Sequence, residues 1–505
     1  MSSFVPLPLG CPIPDLPHAV SCSLPTMASV RGYEERNPAV TERLATGYPR
    51  FVVHPFSQRL GELLKVRHAL AGQTLWLVSS EGMAGALLDH LTASGQAGRE
   101  AKPFAADGVH GVVHPVQSDL ATRAKLFLQH IGGFLSSREA EDRLVALGGA
   151  AGAEAEASFP GDAAAEIRRH LRRVMPGTGD RDLLLANCGM NAGYAAFRAV
   201  SELQARRGRT GWIQLGWLYL DTIAILRKFT TSPADYVHLP DVMDVGALSR
   251  LLETSGGRFA GVFTEAPTNP LIQTPDLAAL GALCRHHGVR LIIDPSVASV
   301  FSVNCLPHAD LVVNSLTKYT GSDGDVIAGL LAVNPSGPDA EALRGAAARN
   351  LEPVYGRDVS RLAAQIGDTE AVLARIDANT AEVAAFLASH PRVRDVFWAL
   401  QSGSELGFRR IARHPNATGG MISFTLRGPM EPVYDRLRLP KGPSFGMKTT
   451  LICPFLYLAH YDLVTTAAGR AELLANGLEP DLLRLCVGTE PVGDIIEALA
   501  EALDA

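Results

Sequence analysis

From about residue 180 onward, short apolar runs alternate with amphipathic stretches. The runs fall at 183–186, 212–215, 259–263, 291–293, 311–313 and 327–333, each bounded by turn residues. Their length suits buried strands rather than helices. Between them lie helical patterns, the clearest at Thr274. This residue is a candidate N-cap, with Pro275 at the first helical position and Leu277, Leu280 and Leu283 on one face. Strands alternating with helices predict an α/β fold, a mostly parallel sheet covered on both sides. Ligands in such folds sit beyond the carboxyl ends of the strands, so the residues just after each run carry the functional question.

The rest of the chain has a different texture. Residues 1–70 begin Pro-rich and end in GYPRFVVHP, which reads as an N-terminal arm. A large domain is expected over 71–360, with insertions around 71–130 and 148–175. The Ala/Gly/Glu-biased stretch GGAAGAEAEASFPGD at 148–162 reads as a loop or linker. A helical stretch near 363–390 places Val383, Phe386 and Leu387 on one face and ends at His390–Pro391. It opens a smaller C-terminal α+β domain over 361–505.

Composition narrows the class. With 47% hydrophobic and 19% charged residues, a mainly disordered chain is excluded. The 46 basic and 52 acidic residues give a net charge of −6, which argues against binding nucleic acid by phosphate neutralisation. Small molecules and other copies of the chain are the expected partners. Seven scattered cysteines form no CxxC pair and no regular zinc-ligand spacing, so free thiols and no metal site are expected. No apolar run reaches the ~18 residues of a membrane span. The first basic residue is Arg31, and a cytoplasmic location is expected.

At the strand ends, Lys318 follows the run at 311–313 between Thr317 and Tyr319, with Ser315 nearby. It is either a surface lysine in a turn or a Schiff-base lysine whose hydroxyl neighbours bind a phosphate. Asp294, after the run at 291–293, either caps a turn or pairs with a protonated ring nitrogen, as pyridoxal phosphate (PLP) requires. Asn269, held extended before Pro270, could meet a ring hydroxyl. Asn187-Cys188-Gly189-Met190 leads into a helix whose N-terminal N–H groups suit an anion.

In this order the segments resemble the cystathionine γ-synthase family, the Cys/Met metabolism enzymes of PLP fold type I. CGMNA is similar to the family's SGMAA, TEAPTNP to E-x-P-x-N-P, LIIDPS to its D-N-T strand, and NSLTKYTGSDGDVIAG to S-x-T-K-Y followed by S-D-V-x-A-G. GGMISF, SFGMKTTLICP and LRLCVGTE match three C-terminal segments. The N-terminal region through GYPRFVVHP resembles the longer fungal-type cystathionine γ-synthases.

The resemblance implies a large PLP-binding domain with a seven-stranded sheet, and the following roles. Lys318 links to the cofactor and moves protons; Asp294 holds the ring nitrogen protonated. Tyr219, in GWLYLDT, stacks on the ring and serves as acid or base. Gly189, Met190, Ser315 and Thr317 hold the phosphate, and Asn269 contacts the ring hydroxyl. Arg484 and Ser444 bind the substrate. The family's Y-x-R, which reaches the phosphate of a neighbouring subunit, has two candidates: Arg138 by order along the chain, and Tyr48 with Arg50 by composition. YLDT for Y-G-G-T and DPS for D-N-T depart from the family near the ring. The implied activity is γ-replacement of O-acetyl- or O-succinyl-L-homoserine by L-cysteine, giving cystathionine in a homotetramer built as a dimer of dimers. O-acylhomoserine sulfhydrylase, methionine or cystathionine γ-lyase, and a secondary-metabolism γ-substitution remain open. A non-catalytic PLP-fold binding protein is the alternative from another class.

Overall fold

The computed structural model describes residues 4–93, 98, 100–116 and 118–504. Its central sheet has seven strands, in the order Leu183–Ala186, Gly329–Val333, Leu311–Ser315, Arg290–Asp294, Phe259–Glu265, Gly211–Leu215 and Tyr236–Leu239. Gly329–Val333 runs antiparallel to both neighbours, and the remaining pairs are parallel. Alternate side chains face opposite layers, as the pleat dictates. Ile213, Val262, Leu291, Ile293 and Val312 pack on one side. Trp212, Ala260, Ile292, Leu311 and Val313 pack on the other.

Each predicted run forms a strand, some a residue or two longer; the last starts later, at Gly329 rather than 327. Edge strand Tyr236–Leu239 was not anticipated, because its four half-buried residues carry no continuous apolar signal. The helix expected from Thr274 begins instead at Leu277, where the Asp276 carboxylate accepts from the Ala279 N–H at 3.0 Å. The Thr274 N–H is already taken by Ser404 Oγ at 2.7 Å.

Helix Thr369–Ser389 leads to a four-stranded antiparallel sheet ordered Val393–Phe397, Met421–Leu426, Leu483–Cys486 and Leu451–Pro454. Residues 148–162 contain no helix or strand. Within 71–130, strands Gln73–Val78, Val109–Pro115 and Lys102–Ala106 form a separate antiparallel sheet. Against it pack helices Glu81–Thr92 and Leu120–Ile131. All seven cysteines are unpaired. Among the described residues no helix is long and apolar enough to cross a membrane.

Candidate active site

The carboxyl ends of the central strands converge on one cavity, where sheet topology places ligands in this architecture. Gly189, Met190, Tyr219, Asn269, Asp294, Ser315, Lys318, Ser444 and Arg484 all line it. These nine positions come from the ends of five central strands, from the C-terminal sheet and from the loops beside them. Of the positions expected there, Thr317 and Arg138 lie outside the lining. The Thr317 hydroxyl is occupied by the Ala328 backbone, accepting from its N–H at 3.2 Å.

Lys318 is 5% exposed, and its Nζ donates to Ser444 Oγ. Burial holds its ammonium well below the usual lysine range, and the nearby Arg484 and Arg50 charges push it further down. The amine is therefore poised to be neutral, the form that attacks a carbonyl. Burial pushes the Asp294 carboxyl up to about 6, against the Ser296 N–H, which donates to it at 2.9 Å. A cation placed beside Asp294 would restore its charge. Ser296 Oγ in turn accepts from the Ser315 N–H at 2.8 Å, so the serine of DPS ties two strand ends together.

Opposite these groups, helix Gly189–Ala205 points its N-terminus into the cavity. A Cβ on Gly189 would fall 2.8 Å from Ser315 Cβ, so this close approach requires glycine. Glycine, helix N-terminus and serine together make a cradle for an anion. A lysine whose burial favours the neutral amine, a buried carboxylate and an anion cradle in one cavity fit PLP, whose aldehyde, ring nitrogen and phosphate would each have a matching group.

The sequence motifs match the family model for the Cys/Met metabolism PLP-dependent enzymes over residues 178–504. The chain belongs to this family. Its members depend on PLP, and this chain is a PLP-dependent enzyme of that family. It is 38% identical to L-2-amino-4-chloropent-4-enoate dechlorinase/desaturase of Streptantibioticus cattleyicolor, across 98% of this chain and 97% of that protein. It is 27% identical to cystathionine gamma-synthase of Neurospora crassa, across 99% of this chain and 98% of that protein. The solved cystathionine gamma synthase of Xanthomonas oryzae pv. oryzae, in complex with cystathionine, superposes with a TM-score of 0.55 at 24% identity. That match covers 66% of this chain and 83% of the other and shows the fold.

The two Y-x-R candidates part company in space. Tyr48 and Arg50 line the Lys318 cavity. Lys318 Nζ lies 4.5 Å from the Tyr48 ring centroid. Arg50 is 5% exposed; its Nη2 donates to Tyr219 Oη at 2.7 Å and its Nη1 to the Gln129 carbonyl at 2.9 Å. Arg138 lies instead beside an adjoining cavity, which Arg50 reaches as well, along with Asn187 and Cys188. Its guanidinium is ion-paired to Glu156 at 2.7 Å, Asp325 at 3.1 Å and Asp358 at 2.9 Å. Three carboxylates already compensate that charge, and of the two candidates only Tyr48 and Arg50 line the Lys318 cavity.

Several lining residues carried no expected role. Glu265 accepts from the Tyr219 N–H at 2.6 Å and the Asn269 N–H at 3.1 Å, fixing both loops; burial raises its carboxyl well above the usual range. It stood inside the quoted TEAPTNP without a function. Asp221, the acid of YLDT, is fully buried outside the cavity lining and ion-pairs with Arg50. Tyr33 and Glu34, at the end of helix Met27–Glu34, line the cavity, and nothing in their local sequence marked them.

Proposed function

We propose that the protein catalyses a PLP-dependent elimination on a single L-α-amino acid. A leaving group such as chloride departs from Cγ, and the side chain becomes more unsaturated. The charge distribution around the cavity carries this reading. Arg484 has only neutral hydrogen-bond partners: Asn269 Oδ1 at 3.3 Å and the Ser444 carbonyl at 3.0 Å. The other lining guanidinium, Arg50, is paired with Asp221. One uncommitted guanidinium seats one α-carboxylate bidentately. A γ-replacement by cysteine brings a second zwitterion, and no second free guanidinium lines the cavity among the described residues. The wall beyond is apolar, with Leu220, Val297, Phe445, Phe455 and Leu458, which suits an unsaturated or halogenated side chain. The near full-length similarity to the Streptantibioticus dechlorinase/desaturase supports the same reaction class.

Bound here, PLP supplies the electron sink for negative charge at the amino-acid α-carbon. Asp294 would hold the ring-nitrogen proton, and Asn269 would face the ring hydroxyl. Gly189, Met190, Ser315 and Arg50 would hold the phosphate, while Thr317 is engaged with the Ala328 backbone. Tyr219 would flank the ring. Arg484 fixes the substrate carboxylate, with Ser444 beside it. The neutral Lys318 amine then removes the Cα proton and next a Cβ proton, and returns protons afterwards. For L-2-amino-4-chloropent-4-enoate the balance is loss of one proton and one chloride. An allene or alkyne side chain remains, and no oxidant is consumed.

The test is incubation of PLP-loaded protein with L-2-amino-4-chloropent-4-enoate, following chloride release and product mass. Stoichiometric chloride and a product lighter by HCl, both absent with Lys318→Ala, support the reading. The second reading is cystathionine γ-synthesis, favoured by the Neurospora relative and by Glu34, a carboxylate able to meet the ammonium of cysteine. Cystathionine from O-acetyl- or O-succinyl-L-homoserine and cysteine, without chloride release from the chloroalkene, would overturn the elimination assignment. Sulfide incorporation, or 2-oxobutyrate, would identify a sulfhydrylase or a γ-lyase.

A further inference from the structure

We propose that Trp217 and His460 determine specificity as positioning residues: their contact sets the width of the apolar pocket that receives the side chain of the amino acid. This rests on the reading of the Lys318 cavity as the place where an amino acid meets PLP, and it holds for elimination and γ-replacement alike. Neither residue lines the cavity. Each stands beside residues that do, and the two follow strands of different sheets.

Trp217 lies two residues past strand Gly211–Leu215 of the central sheet. Gly216 between them takes φ +81°, a left-handed turn that glycine allows, and its N–H donates to the Leu239 carbonyl at 2.8 Å. The chain then passes through the buried Leu218 to Tyr219 and Leu220 on the cavity wall. His460 lies six residues past strand Leu451–Pro454 of the C-terminal sheet. It directly follows helix Phe455–Ala459, whose Phe455, Leu458 and Ala459 line the same cavity. The His460 N–H donates to the Leu456 carbonyl at 2.8 Å. Its own carbonyl accepts from the Leu463 and Val464 N–H groups at 3.0 and 3.1 Å, so the backbone there is held from both sides.

The two side chains meet directly. Trp217 Nε1 donates to His460 Nε2 at 3.1 Å, and the rings pack edge to face with centroids 5.0 Å apart. An indole N–H only donates, so Nε2 is unprotonated here. Burial lowers the His460 ring to about 4, which keeps this acceptor available at neutral pH. The Trp217 indole also packs against two hydrophobic clusters, one with Leu218 and Phe263, the other with Phe455 and Leu456. On another side it borders a separate cavity with Asp241, Thr268 and Asn476, so the indole has space to move once its bond to His460 is lost. The contact therefore fixes the segment that carries Leu220 relative to the helix that carries Leu458. A pocket of fixed width discriminates side chains by about 10-fold or more per extra methylene, and a loosened one does not.

The experiment measures binding rather than turnover. PLP-loaded wild type, Trp217→Phe, His460→Leu and His460→Gln are titrated with L-norvaline and with L-2-aminoheptanoate, following the visible absorbance of the protein. The two ligands differ by two methylenes and carry no leaving group. Wild type should bind norvaline the more tightly. Trp217→Phe and His460→Leu should each lower that preference about tenfold, chiefly by tightening the binding of the longer ligand. His460→Gln, whose amide oxygen accepts from the indole, should keep most of it. Should either Trp217→Phe or His460→Leu fail to fold, the other carries the comparison. An unchanged preference in the folded variants, whatever their stability in urea, or a wild type without preference for norvaline, would overturn the proposal. If wild type responds to neither ligand, the reading of the cavity as an amino-acid site fails instead, and the inference falls with it.

Discussion

Arg50 and Asp221 form an ion pair between residues 171 positions apart, with Asp221 fully buried and Arg50 5% exposed. The pair joins the N-terminal segment to the helix that starts just after Tyr219, and Arg50 Nη2 donates to the Tyr219 hydroxyl as well. Charges this deep are compensated rather than free. Removing one partner strands the other away from water, at a cost of about 3–5 kcal/mol. Asp221→Ala should therefore destabilise the apoprotein by roughly that amount in urea unfolding. Added inorganic phosphate should recover part of the loss by supplying a counter-charge for Arg50. Recovery no greater than that of wild type would mean that Arg50 does not face an anion site.

Arg138 and Arg50 separate stability from cofactor binding. Arg138 sits among Glu156, Asp325 and Asp358 outside the Lys318 cavity. Its replacement by alanine should lower unfolding stability by about 3–5 kcal/mol, as for other broken buried pairs. PLP affinity of the folded fraction should stay within about twofold of wild type. Arg50→Ala should instead weaken PLP binding by roughly 10–100-fold, the worth of charge-assisted hydrogen bonds to a phosphate. Spectroscopic PLP titration of both variants decides between the two arginines.

The sheet and much of the site were legible because both depend on local sequence. Apolar runs of strand length predicted six of the seven central strands, and the residues after five of the strands reach one cavity. Lys318, Asp294 and Gly189 could be placed because each stands one to five residues beyond such a run. Arg50, Asp221 and Gln129 could not be assembled in the same way. Their meeting depends on tertiary packing of segments 79 and 171 residues apart, and no periodicity encodes that. Asp221 was visible only as an oddity in YLDT, a charge where the family has glycine; its buried partner explains the change. The start of the helix at Leu277 was missed for a smaller reason: two capping residues stand two positions apart, and it is the Asp276 carboxylate that accepts from the Ala279 N–H.

Arg484 should act on substrate affinity and Lys318 on turnover. Arg484 Cζ lies 4.5 Å from the Phe455 ring centroid and 5.2 Å from that of Phe445, within cation–π range of both rings. Arg484→Ala should raise KM for the amino acid about 10–100-fold, since hydrogen bonds to a charged group contribute roughly 1.5–3 kcal/mol. Arg484→Lys should recover only part of this, because an ammonium cannot make the bidentate contact. Lys318→Ala should lower kcat by at least about a thousandfold, in keeping with the loss of an acid–base group. Steady-state kinetics on the substrate identified by chloride release or by cystathionine formation would show the split.

Glu34 links the cavity to pH. Its carboxyl lines the same cavity as Lys318, and burial pushes it up to about 7, against the opposing pull of Lys125 and Arg36. Tyr33, Tyr48 and Tyr219 line the cavity with it, and burial raises all three phenols, so they stay neutral at this pH. The sign follows from proton counting. Between the unfolded value near 4.5 and about 7, the folded protein binds more protons than the unfolded chain, so stability falls as pH rises through this window. Below it, Glu34 and glutamine are equivalent. Above it, only glutamate carries an unfavourable buried charge. Glu34→Gln should therefore match wild type in stability at pH 4 and exceed it at pH 8, with the gap opening between. Kinetically, a carboxyl raised to about 7 within the cavity should give kcat/KM an ionisation in that range, which the glutamine variant lacks. Urea unfolding at the two pH values, together with the pH profile of both proteins, tests this; equal stability at pH 8 and an unchanged profile would remove Glu34 from the chemistry of the cavity.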